Sequence, residues 1–290
     1  MKSYSLKWLG HELELGRRSC IMGILNVTPD SFSDGGKYFT LDAALSRAEQ
    51  MVEDGADILD IGGESSRPFS APVSAEEETR RVLPVIGYLA GRIDIPISID
   101  TTKGVVARRA MDAGAVIIND ISALRFDPEM AEVAAETGAL VILMHMLGTP
   151  GTMQVDPRYD DVVEEIYRFL ENEIGNAGKA GIPKSNLVVD PGIGFGKTVS
   201  HNLEIIKNAG RFSDLGVPVL IGPSRKAFIR KLMAGAKHVT DENACTHERV
   251  ETGTRAVVSA SILNGAHIFR VHDVAGARAT ATIVDAIKNA

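Results

Sequence analysis

Cysteine is almost absent. Cys20 and Cys245 are the only two in 290 residues, far apart and without C-x-x-C spacing, which excludes a disulfide framework and marks both as buried or inert thiols. Excess positive charge is also lacking: 38 acidic residues face 31 basic ones, so the molecule as a whole offers no field for nucleic acid or an anionic membrane. Any anion must be held by local groups. There is no apolar run of roughly 18 residues, and the opening "MKSYSLKWLGHELELGRRS" has no uninterrupted apolar core followed by a small-residue cleavage site. These absences place the protein in the cytoplasm, with no membrane and no nucleic acid among its partners. Hydrophobic content of 44% is that of an ordinary globular chain with a large core.

A complete nucleotide loop is missing as well. "VVDPGIGFGKT", 188 to 198, ends like a P-loop, yet G-x-x-x-x-G-K-[ST] requires glycine where Pro191 stands, and proline supplies no N–H. Gly192, Gly194 and Gly196 are too evenly spaced for G-x-G-x-x-G. The glycines and Asp190 need another explanation, and Lys197 reads as the start of the next helix, with no catalytic role.

What is present is a repeat. "DGADILDIGG" from 54, "AGAVIINDIS" from 113, "TGALVILMHM" from 137 and "NGAHIFRVHD" from 264 share one grammar. A helix ends in a glycine, a short β-branched run follows, and a polar residue stands where the run stops. Four more apolar runs, from 19, 95, 186 and 217, bring the strands to eight, with amphipathic helices between them. Near-continuous apolar strands joined by crossover helices imply a parallel sheet. Although 290 residues could hold two domains, eight such units imply one α/β domain spanning 1–290, a (β/α)8 barrel of the TIM type, with a short N-terminal extension at about 1–18. A doubly wound open sheet is the alternative.

The positions of the polar residues favour the barrel. Asn26, Asp60, Asp100, Asn119, His145, Asp190, Ser224, Arg270 and His272 all fall at or just past strand ends, and in a barrel these converge on the one mouth where such enzymes keep their chemistry. Arg270 and His272 are i and i+2, hence on one face, with Val271 on the other. The polar stretch 235–254 reads as a surface loop; its His238, Cys245 and His247 fit no zinc spacing.

The motifs "MGILNVTPDSFSDGG", "ESSRPFS", "ISIDT", "NDIS", "LMHM", "VVDPGIGFGKT", "GPSRKAF" and "RVHDV" stand in an order that closely resembles the dihydropteroate synthases, from about residue 20 to the C-terminus. The first and sixth are highly specific. The resemblance implies a transferase of folate biosynthesis that joins 6-hydroxymethyl-7,8-dihydropterin diphosphate to p-aminobenzoate, with magnesium, in a homodimer, and that is a target of sulfonamides. It implies a pterin pocket of Asp100, Asn119, Met144, Asp190, Gly194, Phe195, Gly222, Lys226 and Arg270. The diphosphate falls to Asn26, Ser66, Arg67, Arg270 and His272, with Asn26 as the magnesium contact. p-Aminobenzoate falls to Ser66, Arg67, Pro68, Phe195, Ser224 and Lys226. The catalytic set it implies is Asn26, Asp34, Arg67, Asp100, Lys226, Arg270 and His272, with Asp34 supporting the cation or the metal. His145 is left out as a structural histidine.

The implied mechanism is dissociative, with diphosphate leaving as its charge is neutralised, and with no strong general base because an aromatic amine is already unprotonated at neutral pH. Three positions depart from the common pattern: Ala227 stands where a serine usually follows the lysine, Ser66 where threonine is frequent, and Phe69 where glycine is common. The competing readings are a methyltetrahydrofolate-type methyltransferase, which would not need Arg67, Arg270 and His272, and a catalytically silent pterin-binding paralogue.

Overall fold

The structure, a computed structural model, describes residues 2–28, 41–65, 72–235 and 246–290. The chain opens with an antiparallel hairpin, β1 (Tyr4–Trp8) and β2 (His11–Leu15). The eight strands that follow are β3 (Cys20–Asn26), β4 (Ile58–Gly62), β5 (Ile97–Asp100), β6 (Ile117–Asp120), β7 (Leu140–Met144), β8 (Leu187–Asp190), β9 (Leu220–Ile221) and β10 (Ile268–Val271). They form one parallel sheet in the order β8-β7-β6-β5-β4-β3-β10-β9. Its two edges meet through a parallel bridge between Val189 and Val219, with the Val189 N–H donating to the Pro218 carbonyl at 3.0 Å. The sheet therefore closes, as the eight runs predict, and the open-sheet alternative falls.

Parallel neighbours need crossovers. Helices α1 (Leu41–Glu53), α2 (Ala75–Leu89), α3 (Gly104–Asp112), α4 (Glu129–Thr137), α5 (Val162–Lys179), α6 (Val199–Lys207), the single turn α7 (Ala209–Phe212), α8 (Ala227–Ala234), α9 (His247–Leu263) and α10 (Val274–Asn289) supply them. Ser74, Asp161, Thr198, Thr246 and Asp273 cap five of these helices with side-chain oxygens. The glycines of the repeated phrase, Gly55, Gly114, Gly138 and Gly265, all have positive φ, the conformation that ends a helix at no Cβ cost.

Each strand is apolar on both faces because each face has its own core. Outward residues such as Leu59, Ile99, Val141, Val189 and Phe269 pack under the helices. Inward residues Met22, Ile58, Ile117, Ile142, Val188 and Ile268 join Leu6, Trp8, Leu13 and Leu15 of the hairpin in a second core. The N-terminal extension is thus a plug closing the barrel end opposite the mouth, and the Trp8 Nε1–H donates to the Val116 carbonyl at 2.9 Å.

One expectation changes and another holds. The polar stretch after Ala234 is not loop throughout, because α9 begins at His247 behind the Thr246 cap; His238 and Cys245 lie outside the described residues. Cys20 is buried, and burial pushes its thiol well above the ordinary range, which agrees with an inert thiol. Among the described residues no helix is long and apolar enough to cross a membrane.

Candidate active site

The mouth is the inner face of the strands carried one step further. Side chains alternate along a strand, so two residues beyond inward-facing Ile58, Ile117, Ile142, Val188 and Ile268 come Asp60, Asn119, Met144, Asp190 and Arg270. Asn26, Gly62, Asp100 and Asn119 are register partners across four neighbouring strands and form one row. Gly62 leaves a gap in that row, since a Cβ there would come within 3.4 Å of the Asp100 Cβ.

Arg270 bridges two carboxylates: Nε donates to Asp60 Oδ2 and NH2 to Asp100 Oδ2, each at 2.5 Å. Burial opposes the guanidinium charge, but Asp60 and Asp100 outweigh it and raise the pKa of Arg270. Asn119 Nδ2 donates to the same Asp60 Oδ2 at 3.2 Å. Asp60 is fully buried and its Oδ1 has no hydrogen-bond partner among the described residues, so this carboxylate is held by Arg270 on one oxygen and desolvated on the other. Burial pushes the Asp100 carboxyl up, with Arg270 opposing the shift and Asp60 adding to it.

Across the mouth, burial raises Asp190 to about 6 against the pull of the Gly192 N–H, which donates to its Oδ1 at 2.7 Å. Gly192 (φ +73°) and Gly194 (φ +82°) answer the glycine question. A Cβ on Gly192 would land on the His145 carbonyl oxygen, and one on Gly194 would sit 2.8 Å from Lys226 Cδ, so the loop can hug β7 and the lysine only without side chains. Lys226 Nζ lies 3.8 Å from the centre of the Phe195 ring, and burial lowers its pKa to about 7, with Arg270 adding to the effect. Phe195 packs with Ile121, Met144, Met146 and Met153 in a small apolar cluster. Gly222 completes the ring of residues; a Cβ there would be 3.8 Å from Arg270 Cβ and 3.9 Å from Asp190 Oδ2.

Ser224 turns toward His272. Its hydroxyl accepts the His272 backbone N–H at 3.1 Å and lies 2.8 Å from Nδ1. The roles follow the imidazole tautomer: where Nδ1 is bare the hydroxyl donates to it and the ring proton sits on Nε2. Between Ser224 and Lys226, Arg225 adopts φ +58°, a left-handed backbone that costs about 1–3 kcal/mol outside glycine. It is held there by α9, through its N–H to Thr254 Oγ1 at 3.2 Å and its Nε to Glu251 Oε1 at 2.5 Å.

The structure thus gathers Asn26, Asp100, Asn119, Met144, Asp190, Gly194, Phe195, Gly222, Ser224, Lys226, Arg270 and His272 at one barrel end. Asp34, Ser66, Arg67, Pro68 and Phe69 lie outside the described residues. Two participants were passed over in the sequence. Asp60 was visible as a strand-end carboxylate, but its hold on both Arg270 and Asn119 was not. Lys197 does not start a helix; α6 begins at Val199 behind Thr198, and the lysine folds inward to 4% exposure, meeting His145 Nδ1 at 3.1 Å. Among the described residues no group of three or more His, Cys, Asp or Glu could hold a metal. Asn26 offers one amide oxygen, a donor set that fits a hard cation sharing its shell with water and substrate oxygens. A groove of about 540 Å³ lined by Asp160, Asp161, Glu164, Glu204, Lys207 and Arg211 shares none of the mouth residues.

Fold and site together define a barrel enzyme whose mouth suits a flat, amide-edged heterocycle with anionic charge at the rim. Residues 22–272 match the family of pterin binding enzymes. The chain is 47% identical over 254 residues to the dihydropteroate synthase of Escherichia coli, covering 88% of this chain and 86% of that one. It superposes on a Xanthomonas albilineans dihydropteroate synthase solved with 4-aminobenzoic acid at TM-score 0.88 and 43% identity, over 100% of both chains. It also superposes on the enzyme from that organism in complex with 7,8-dihydropteroate at TM-score 0.85 and 41% identity, over 99% of both. The chain belongs to the dihydropteroate synthases.

Proposed function

We propose that this mouth joins 6-hydroxymethyl-7,8-dihydropterin diphosphate to p-aminobenzoate, releasing 7,8-dihydropteroate and diphosphate. The carrying observation is the opposition, within one buried mouth, of Asp190 and the Asp60–Arg270–Asp100 bridge. A pterin edge offers adjacent N–H and amino donors, which Asp190 accepts as a carboxylate, while Asn119 can both donate and accept. The Arg270 plane, locked by its two carboxylates, is a stacking surface for the ring and brings positive charge toward the leaving group.

The leaving diphosphate needs positive charge where its own charge grows. Arg270 supplies it at the described rim, His272 adds a ring N–H as a hydrogen-bond donor, and Arg67 belongs to the same reading. Asn26 would hold magnesium, whose chemistry is to neutralise diphosphate oxygens. Departure of diphosphate leaves a cation that the electron-rich dihydropterin spreads. The amine of p-aminobenzoate, unprotonated at neutral pH, attacks it from the side of Phe195 and Lys226, so placement replaces general-base catalysis. The same reading puts the reaction in the cytoplasm and pairs two subunits through α9 and α10, where Leu263, Ile283 and Ile287 are exposed.

The test is a coupled assay of both products with purified protein and both substrates, with and without magnesium. Equal, magnesium-dependent release of dihydropteroate and diphosphate is expected. Pterin binding without product would sink the reading in favour of a silent pterin binder. Sedimentation equilibrium tests the subunit pairing, which a monomer at micromolar concentration would overturn.

A further inference from the structure

Lys197 is the residue of the glycine motif that the reaction leaves unused. Its side chain is turned beneath the loop, where Nζ donates to the Phe195 carbonyl at 2.9 Å and meets His145 Nδ1 at 3.1 Å. Burial holds His145 neutral, its pKa lowered to about 2, and in the tautomer with the proton on Nε2 its Nδ1 accepts from the lysine. Among the described residues no carboxylate forms an ion pair with Lys197; it is a buried amine held by two neutral acceptors. Burying such a group is costly, and here it secures one backbone carbonyl.

That carbonyl is the middle of three. Gln154 Nε2 donates to the Gly194 carbonyl at 2.6 Å, Lys197 to Phe195, and the Tyr159 hydroxyl to the Gly196 carbonyl at 3.0 Å. The Gly194 N–H in turn donates to Asn202 Oδ1 at 2.7 Å. Three successive peptide planes, two of them at glycines with no side chain to hinder rotation, are pinned by side chains rather than by a sheet or helix. Because the peptide unit is planar, pinning the carbonyls on both sides of the Phe195 Cα sets the direction of its Cα–Cβ bond, the stem of the ring. The ring so aimed lies under Lys226 Nζ and against the methionine cluster.

We propose that Lys197 is a positioning residue for the p-aminobenzoate half of the site. Holding the Phe195 carbonyl, it fixes the aromatic face against which the aminobenzoate ring is set, with Gln154 and Tyr159 steadying the loop on either side. This rests on the reading above that places p-aminobenzoate at Phe195. The connection between β7 and α5, which supplies Gln154 and Tyr159, thereby takes part in substrate selection without touching substrate.

Lys197→Met keeps the stem and removes the donors. With p-aminobenzoate varied at saturating pterin diphosphate, its KM should rise about fivefold, as the loss of an oriented aromatic contact predicts, while the calorimetric Kd of the pterin diphosphate stays within about twofold. Tyr159→Phe, which loses only the hydroxyl on Gly196, should shift the same KM in the same direction by less. An unchanged KM in Lys197→Met, or equal weakening of both substrates, overturns the proposal. Should that variant fail to fold, Tyr159→Phe and Gln154→Leu carry the test, and an unchanged KM in both overturns it. Phe195→Ala separates the two layers of the argument: no KM rise there refutes the placement of p-aminobenzoate itself, whereas a rise there with none in Lys197→Met refutes the positioning alone.

Discussion

The two ends of the barrel are built from the same inward face of the same strands, yet their chemistry is opposite. At the plugged end Met22, Ile58, Ile117 and Ile268 meet Trp8 and the hairpin leucines in a core without charge. One step further along, Asp60, Asn119 and Asp190 occupy the same face, buried to a similar degree. Arg270 joins them, and carboxylates and amines at this end are pushed from their ordinary pKa values. Burial in apolar surroundings stabilises the first end and is a cost at the second. The barrel keeps its stability at one end and gives some of it up to ligand groups at the other.

The sharpest way to break this contrast is from the stable end. Trp8→Ala should lower the unfolding free energy by about 3–5 kcal/mol, measured by denaturant titration, while kcat and KM of the folded protein remain unchanged. A fall in kcat comparable to the mouth variants would refute the division. Next in size, Asp190→Asn should cut turnover on the order of a hundredfold, because it swaps an acceptor of two pterin N–H groups for a group that also donates.

The same variant should gain stability. A carboxyl with folded pKa about 6, against about 3.9 unfolded, binds its proton more tightly in the folded state. Its contribution to stability is therefore fully present below about pH 4 and is lost as pH rises through 6. Melting curves should show the Asp190→Asn variant and wild type diverging between those values, with the variant the more stable above. Equal curves would show that the Gly192 N–H offsets the burial completely.

Ser224→Ala should reduce kcat about tenfold, with His272 ring 15N shifts reporting a mixed tautomer and Ser224→Thr restoring both. The smallest effect is at Ala227, the first residue of α8. Ala227→Ser should lower the KM for p-aminobenzoate a few-fold by offering a hydroxyl to a substrate carboxylate set at the start of α8. An unchanged or higher KM would mean that the hydroxyl does not reach the carboxylate.

The strands of the barrel were legible because most are short apolar runs stopped by a polar residue, and before four of them a glycine announced the helix end. The plug was not, although its signal was present. Leu6, Trp8, Leu13 and Leu15 alternate with Lys7, Glu12 and Glu14 around Leu9-Gly10, both at positive φ, which is the pattern of a two-residue hairpin. Two strands this short and this charged have no inward face of their own until the barrel supplies one, so they read as a plain extension. In the site, strand-end identity revealed which residues converge, since register follows from the period of two. It could not reveal where a long side chain turns. Lys197 and Arg225 flank site residues in sequence, and their directions depend on His145, Glu251 and Thr254, which come from distant elements.

The pairing of β3 with β10 sets a timetable. The first barrel strand has as its neighbour the last one, and the seam is finished by the Ser19 hydroxyl and N–H on Asp285, 266 residues away. A chain emerging residue by residue from a ribosome can build β3 through β8 in order, but it holds an open, sticky edge until β10 is out. The barrel is therefore committed late, by the pairing of its most distant strands, and the edge of β3 is covered only when β10 is in place.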